Sequence, residues 1–439
     1  MLVRNKSIGK FTYIPKNTSI RIRIIAYEPT ATYIPHMLFD TDVNASVFFY
    51  LDTNGTMKKK KNKIPDGKRL QQKAIKIRIY PDDKQSVLLE KTFGCCRYIW
   101  NNMLSDEQRF YSETDAHFIP TPAHYKNSAP FLKEVDSLAL ANVQLDLNAA
   151  FSSFFKNNNG YPNFKSKKKS KKSYTTNCVN GSIRFVKGAI VLPKLGNVKC
   201  NLHRTPMKGW KLKSVTVSRN SSYKYYASIL FEYIEDIPKK VIPQIENTVG
   251  LDYSSSFFFV DENGFSPEKE KWFRESEEKL AREQRKLSRM VYDSHNYKEQ
   301  KIKIANIHEH IANQRKDFAH KLSREIANSY DCVCIEDINL KSISMSLNLG
   351  KSTMDNGFGM FRDFLEYKLD EQGKSLIRID KWFPSSKKCY NCGYIYKDLK
   401  LDERIWVCPD CGETIYRDEN AAKNIKEEAL KIFYEMNLA

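Results

Sequence analysis

The chain has no long hydrophobic run. Among its 439 residues, no apolar stretch reaches the roughly eighteen residues that a membrane-spanning helix needs. The N-terminus also lacks the charged and then apolar layout of a secretory signal. We therefore expect a soluble intracellular protein with no membrane partner.

Acidic residues are too few to balance the basic ones. Lys and Arg number 72 against 52 Asp and Glu, which gives a formal net charge of +20 at pH 7. This excess favours a polyanionic partner and argues against a protein concerned mainly with small acidic ligands. A basic protein of another kind, such as a ribosome-associated factor, is the alternative.

Four of the ten cysteines fall in two Cys-x-x-Cys pairs near the C-terminus. Cys389 and Cys392 are separated from Cys408 and Cys411 by 15 residues. Each pair can direct two thiolates at one tetrahedral ion, so the spacing predicts a structural zinc ribbon that is mainly a folding clip. The other six cysteines lie in segments typical of buried or strand positions, which suits a reducing compartment: Cys95, Cys96, Cys178, Cys200, Cys332 and Cys334.

Residues 1–64 differ in composition from the rest of the chain. The first 56 are rich in Tyr, Thr and Ile, with strand-like runs at 19–25 and 46–51. A basic run from Met57 to Lys63 predicts a nucleic-acid-binding arm or a solvated linker. We interpret residues 1–64 as an N-terminal extension, with a start codon misplaced upstream of Met57 as the alternative.

The next segments predict a β domain with helices inserted into it. Lys73–Tyr80 alternates basic and apolar residues, as a half-buried strand with one charged face does. Helical spacing follows over 84–156, and short alternating strands return over 183–234. The lysine run at 165–172 is suited to neutralising phosphates, although a solvated loop explains it as well.

Three acids, Asp252, Glu336 and Asp418, each lie at the edge of a predicted element. Carboxylates bind hard cations, and two Mg²⁺ ions about 4 Å apart activate water and stabilise the leaving oxygen in phosphodiester cleavage. The strand and hairpin around Asp252 suit a ribonuclease H-like sheet. Each acid taken alone also has a structural explanation. Asp252 could be a turn residue, Glu336 a solvated strand end and Asp418 a helix N-cap. Together, and beside a zinc clip in a basic chain, they favour a nuclease.

Several segments resemble the TnpB family, transposon-encoded RNA-guided DNA endonucleases related to compact type V CRISPR effectors. The C-terminal signature consists of Lys381–Gly393, Leu399–Arg404, Trp406–Gly412 and Arg417–Ala422. The resemblance extends from about Lys73 to Ile425 and leaves the first 56 residues uncovered. The further matching segments are Arg78–Pro81, Thr92–Tyr98, Tyr161–Lys167, Asn313–Phe318 and Ile335–Asn339.

The resemblance implies a multidomain α+β fold. Its parts would be a β-barrel wedge domain that holds the RNA scaffold, a helical recognition domain inserted in it, and a ribonuclease H-like RuvC nuclease domain with an inserted zinc ribbon. The implied boundaries are 65–92 with 175–245 for the wedge, 93–174 for the recognition domain, 246–383 with 413–439 for the nuclease, and 384–412 for the ribbon.

The resemblance also implies an activity. Asp252, Glu336 and Asp418 would be the catalytic acids that hold Mg²⁺, two ions in all, beside one structural Zn²⁺. A guide RNA would supply sequence specificity, leaving the protein to read a short target-adjacent motif in double-stranded DNA. We expect a monomer or homodimer in the prokaryotic cytoplasm, associated with the nucleoid.

Candidate nucleic-acid contacts are basic or aromatic. Lys76 and Tyr80 are candidates for reading the target-adjacent motif, although a strand packed within its own domain explains them equally well. Lys387, Lys388 and Arg404 are candidate phosphate contacts on the ribbon. The remaining candidates are Lys165, Lys167, Lys168, Lys169, Arg315 and Arg417.

Two positions depart from the family pattern. Ser254 stands where a Gly is common, and Ile415 and Tyr416 stand where an acidic residue or His often precedes the Arg-Asp pair. Since all three acids are present, we expect cleavage. The alternatives are an RNA-guided repressor that binds without cutting and an accessory protein in transposition; nothing resembles a Tyr or Ser recombinase nucleophile.

Overall fold

The structure, a computed structural model, describes residues 64–438 except 158, 255–256, 269–271, 340–356 and 401, together with five short strands before residue 64. Residues 1–63 and 64–439 are separate units. In the first unit, strands β1 to β3 form one antiparallel sheet and strands β4 and β5 form a hairpin. Their bounds are Leu2–Asn5, Lys10–Tyr13, Ile22–Ile25, Phe48–Leu51 and Met57–Lys60.

A seven-stranded antiparallel sheet occupies the first half of the second unit. Its order is β7, β11, β12, β6, β10, β9 and β8, so the pairings form a curled sheet, and closure into a barrel stays a prediction. The strands β6 to β12 are Lys68–Tyr80, Lys172–Asn177, Arg184–Val186, Ala189–Leu192, Gly196–Asn201, Lys211–Arg219 and Tyr225–Asp236. In β6, Ile75, Ile77 and Ile79 are buried while Lys76 and Tyr80 are exposed, as the alternating sequence predicts.

Two helices, α1 (Asp83–Thr114) and α2 (Ser137–Asn157), are inserted between β6 and β7. The Asp82 carboxylate accepts the Gln85 backbone N–H at 2.8 Å, and the Gln85 side chain accepts the Asp82 N–H at 3.1 Å. This capping box starts α1 only three residues after β6 ends. The helices and the sheet share one hydrophobic cluster.

The last part of the chain is built on a four-stranded sheet ordered β14, β13, β15 and β16. Strand β13 pairs antiparallel with β14 and parallel with β15, which pairs parallel with β16. The strands β13 to β16 are Thr248–Ser254, Phe258–Asp261, Cys332–Glu336 and Ser375–Ile379; the helices α3 to α6 are Trp272–Ser288, His295–Ser329, Phe358–Asp370 and Arg417–Leu438. A small hairpin, β17 (Ile405–Val407) and β18 (Thr414–Tyr416), lies between β16 and α6.

The two faces of this sheet contact different helices. Val333 and Ile335 pack with residues of α4 and α5 on one face. Cys332 and Cys334, which alternate with them along β15, pack with Ile425 of α6 on the other. Among the helices that the structure describes, none is long and apolar enough to span a membrane.

Helix α6 approaches strand β13 closely at Gly250. A Cβ atom at Gly250 would lie 2.0 Å from the backbone oxygen of Ala422, so the contact admits no side chain. The Gly250 N–H donates to Glu262 at 3.0 Å, and the other carboxylate oxygen of Glu262 accepts from Lys426 of α6 at 2.9 Å. The helix is therefore fixed on the sheet by contact and by charge.

Replacing Gly250 tests this contact. We expect Gly250→Ala to destabilise the second unit by about 1–3 kcal/mol, because α6 must move away to admit the methyl group. The midpoint of urea unfolding measures it. The matched control is Gly94→Ala in α1, where a Cβ meets nothing within 4 Å, so unchanged or slightly higher stability is expected there. Equal stability of the two variants would contradict the account.

Candidate active site

Two of the predicted acids lie side by side on parallel strands. Leu251 of β13 is opposite Ile335 of β15 in the register, and Asp252 and Glu336 are the residues that follow them. Because side chains alternate along a strand, both acids are on the face of Gly250 and Cys334, the face that α6 covers.

The third acid reaches the same place through helix α6. Asp418 lies about one helical turn, or about 5.4 Å, before Ala422 on α6. Asp252 lies two residues, or about 6.6 Å, after Gly250 on β13. The contact between Ala422 and Gly250 therefore brings the two acids near each other. The pKa of Asp252 lies well above its ordinary value. Burial is the largest cause, followed by the nearby Glu336 and Asp418 carboxylates, while Arg417 and Arg404 oppose the shift. The three acids therefore share one electrostatic environment.

The three carboxylates have different partners. Ser385 donates its hydroxyl to Glu336 Oε1, and burial raises the pKa of Glu336 against that hydrogen bond. Arg404 contacts both oxygens of Asp418, at 3.0 and 2.8 Å, and Arg417 Nε donates to Oδ1 at 3.2 Å. Asp252 has no hydrogen-bond or ion-pair partner among the described residues.

This arrangement suits divalent cations. A partly buried carboxylate without a partner, facing two further carboxylates, favours a bound positive charge. The oxygens of the three acids do not all lie within 4.8 Å of one another, as the ligands of a single compact site would. Three carboxylates are nevertheless the type of donor set that hard divalent cations prefer.

The four C-terminal cysteines form a compact cluster. Their Sγ atoms all lie within 4.8 Å of one another, with Cys389 and Cys411 at 3.7 Å and Cys392 and Cys408 at 3.6 Å. Zinc–sulfur bonds of about 2.3 Å in a tetrahedron separate neighbouring sulfurs by about 3.8 Å. The geometry therefore fits one Zn²⁺. Each pair is followed by a glycine with positive φ, Gly393 at 81° and Gly412 at 73°.

Two asparagines connect the cysteine cluster to helix α6. Asn420 Nδ2 and Asn424 Nδ2 both donate to the Lys388 carbonyl, at 2.7 and 2.6 Å, and Asn424 Nδ2 also donates to the Ser385 carbonyl at 2.8 Å. Asn420 Oδ1 accepts the Tyr390 N–H at 2.9 Å. The segment between Ser385 and the cysteines is therefore attached to the helix that carries Asp418.

The basic candidates lie in different environments. The Lys165 ammonium is 3.5 Å from the centroid of the Trp100 ring, and burial lowers its pKa. Lys168 Nζ is 3.2 Å from the Tyr292 hydroxyl. Lys167 and Lys169 are exposed, and Arg315 is partly buried in α4. Lys165 is thus a packed residue of the helical insert, which the lysine-rich sequence around it does not reveal.

The remaining candidates also have protein contacts. Lys76 Nζ is 4.5 Å from the centroid of the Tyr226 ring, whereas Tyr80 of the same strand is exposed. Lys387 donates to the Lys397 carbonyl at 2.7 Å, and Lys388 pairs with Glu427 at 3.1 Å. Among these candidates, Arg404 and Arg417 contact a predicted catalytic acid, since both form ion pairs with Asp418.

Sequence reasoning assigned no role to Ser385, Asn420 and Asn424. The two asparagines are four residues apart on α6 and are buried together with Ala421, Ala422 and Ile425. Buried amides need hydrogen-bond partners. Two asparagines four residues apart on one helix were therefore the sequence signal that this face of α6 binds another segment. Asp418 is the second residue of α6, not its N-cap, so the N-cap alternative is wrong.

Three family models match this chain. One described as "Probable transposase" matches residues 228–346, and one described as "Cas12f1-like, TNB domain" matches residues 358–425. A third, described as "Helix-turn-helix domain", matches residues 71–115. In the structure the third segment is most of strand β6 followed by the single long helix α1.

Known proteins match over most of the chain. A Streptomyces pristinaespiralis protein is 34% identical over 365 residues, which cover 80% of this chain and 88% of that protein. Escherichia coli K12 InsQ is 29% identical over 389 residues, 82% of this chain and 92% of InsQ. Both are named putative RNA-guided DNA endonucleases.

A solved structure shares the fold. It is a Cas12f1–sgRNA–target DNA complex whose protein is 13% identical, with a TM-score of 0.51, and the match covers 81% of this chain and 99% of that one. Fold and sequence thus define a protein of the class that includes transposon-encoded TnpB and compact Cas12f. This chain belongs to the TnpB family.

Metal analysis tests the cysteine cluster. We expect the purified protein to carry one zinc ion, and Cys389→Ser to lose it, because a thiolate ligand is replaced by a poor one. Elemental analysis measures the content. Cys200→Ser, at a partly buried cysteine outside the cluster, is the matched control and should retain zinc. Zinc in both variants, or in neither wild type nor control, would contradict the assignment.

Proposed function

We propose that this protein is an RNA-guided DNA endonuclease whose catalytic acids are Asp252, Glu336 and Asp418. The observation that carries the proposal is the convergence of these acids, two side by side on the parallel strands β13 and β15 and one in the first turn of α6. The mixed four-stranded sheet beneath them, ordered β14, β13, β15 and β16, supports the proposal of a ribonuclease H-like RuvC domain.

The acids act together in this proposal. Asp252, Glu336 and Asp418 would together hold the Mg²⁺ ions. Bound Mg²⁺ would activate the attacking water and stabilise the leaving oxygen of the scissile phosphate. Ser385 orients Glu336 through its hydroxyl. Arg404 and Arg417 hold Asp418 toward the site and carry positive charge for the substrate backbone.

Guide RNA supplies the sequence specificity in this proposal. The net charge of +20 suits a protein that holds an RNA scaffold and a heteroduplex through their phosphates. The names of the relatives and the fold shared with an RNA- and DNA-bound Cas12f1 support this partner set. The seven-stranded sheet would hold the RNA scaffold and the helical insert would contact the heteroduplex. Tyr80, exposed at the end of β6, is the candidate for reading a target-adjacent motif.

The Cys₄ ribbon has a scaffolding role in this proposal. Its attachment through Asn420 and Asn424 keeps Ser385 beside Glu336 while α6 carries Asp418. Zinc would thus stabilise the active site without taking part in the chemistry.

Substitution of Asp252 tests the function. With the RNA that co-purifies with the protein and a DNA target matching its guide, Asp252→Asn should reduce Mg²⁺-dependent cleavage by at least about a thousandfold, since the central metal ligand loses its charge. RNA and DNA binding should be retained. Asp363→Asn, at an exposed acid of α5, is the control and should cut normally.

The outcome separates the alternatives. Undiminished cutting by Asp252→Asn would contradict the assignment of the catalytic acids. Target binding by wild type without cutting would favour the repressor, and absence of a discrete bound RNA would contradict guided recognition altogether.

A further inference from the structure

Trp382 is an exposed tryptophan in a short loop whose two ends lie at Glu336. Its relative exposure is 81%, whereas Trp100, Trp272 and Trp406 are buried and Trp210 is partly buried. An indole left in water forgoes a large hydrophobic stabilisation, and Trp is enriched where a protein meets a partner, so the place of this ring in the fold is informative.

The position of Trp382 is fixed by both ends of its loop. Ile379 lies opposite Glu336 in the register of β15 and β16, and the Asp337 N–H donates to the Ile379 carbonyl at 3.0 Å. Ser385, at the other end, donates to Glu336. The loop 380–384 therefore starts and finishes at the same catalytic acid. Trp382, three residues from each end, lies within about 11 Å of both along the chain.

The loop has an ordered conformation. The Trp382 N–H donates to the Asp380 side chain at 2.7 Å, and the Phe383 N–H donates to the Asp380 carbonyl at 3.1 Å. Phe383 packs against the cluster formed by Cys332, Cys334 and α6. The neighbouring aromatic rings thus have opposite environments, with Phe383 anchoring the loop and Trp382 in solvent.

One lysine lies beside the exposed ring. The Lys381 ammonium is 5.1 Å from the centroid of the Trp382 ring, whereas the Lys388 ammonium, near Phe383, pairs with Glu427 at 3.1 Å. An aromatic face with a lysine beside it is a combination by which proteins bind single-stranded nucleic acid, the ring stacking on a base and the cation on the backbone.

We propose that Trp382 is a stacking subsite for one base of the single DNA strand that enters the active site. The subsite positions the strand so that the neighbouring phosphate lies over Asp252, Glu336 and Asp418. Stacking accepts any base, which suits an enzyme that must cut whatever sequence its guide selects. This inference rests on the proposed function.

Abasic substitution within the substrate tests the subsite. Stacking on an aromatic side chain contributes about 1–3 kcal/mol per base, which corresponds to roughly 5- to 150-fold in rate at low substrate concentration. Trp382→Ala should therefore lower kcat/KM for cleavage by at least about fivefold, and Trp382→Phe should retain most of it. Met436→Ala, at a residue 77% exposed near the end of α6, is the control and should cut as wild type does.

The abasic series identifies the base. One abasic nucleotide at a single position near the cut should slow the wild type as much as Trp382→Ala does, and should slow Trp382→Ala no further. Wild-type rates for Trp382→Ala, or equal sensitivity of both proteins to every abasic position, would overturn the subsite.

A binding measurement provides a second readout that does not depend on cleavage. In an Asp252→Asn background, acrylamide should quench the exposed Trp382, and a bound oligothymidylate should protect it. The protected component should disappear in Trp382→Phe. Quenching that is unchanged by the oligonucleotide would overturn the proposal. The two proposals fail in different ways. If only the stacking subsite is wrong, Trp382→Ala cuts normally and Asp252→Asn is still inactive. If Asp252→Asn cuts DNA, the proposed function itself is wrong.

Discussion

The close contact between helix α6 and strand β13 is the constraint on which the site depends. Because Gly250 has no side chain, the backbone at Ala422 lies directly on the strand. The residues one turn back on the helix and two positions along the strand are Asp418 and Asp252, which are far apart in sequence. The close approach at Gly250 therefore brings Asp252 and Asp418 into the same region of the fold.

The segment that carries the cysteine cluster is also attached to helix α6. The ribbon leaves the sheet after β16 and returns at the start of α6, and Asn420 and Asn424 attach its first residues to that helix. Ser385, in the attached segment, contacts Glu336. The insertion thus supports two acids at once, Glu336 through a hydroxyl and Asp418 through Arg404. The loop that joins these supports also presents Trp382.

Local patterns predicted the elements better than the contacts between them. The strand Cys332–Glu336, the alternation in β6 and the insertion of α1 and α2 follow from periodicity, which is a property of neighbouring residues. The family resemblance was confirmed. The roles of Gly250 and Asn424 depend on partners that are distant in sequence. Lys165 packs on Trp100, although the lysine run that contains it is typical of a solvated loop. The assignment of catalytic roles to the acids stays a prediction.

The most direct measurement is the position of metal ions in crystals of the protein soaked in Mn²⁺, located by anomalous scattering. The account predicts two manganese peaks about 4 Å apart, both in contact with Asp252, with Glu336 and Asp418 on either side. Their absence from the Asp252→Asn protein would agree with it. A wild-type crystal with manganese elsewhere, or with the three carboxylates too far apart to share ions, would contradict it.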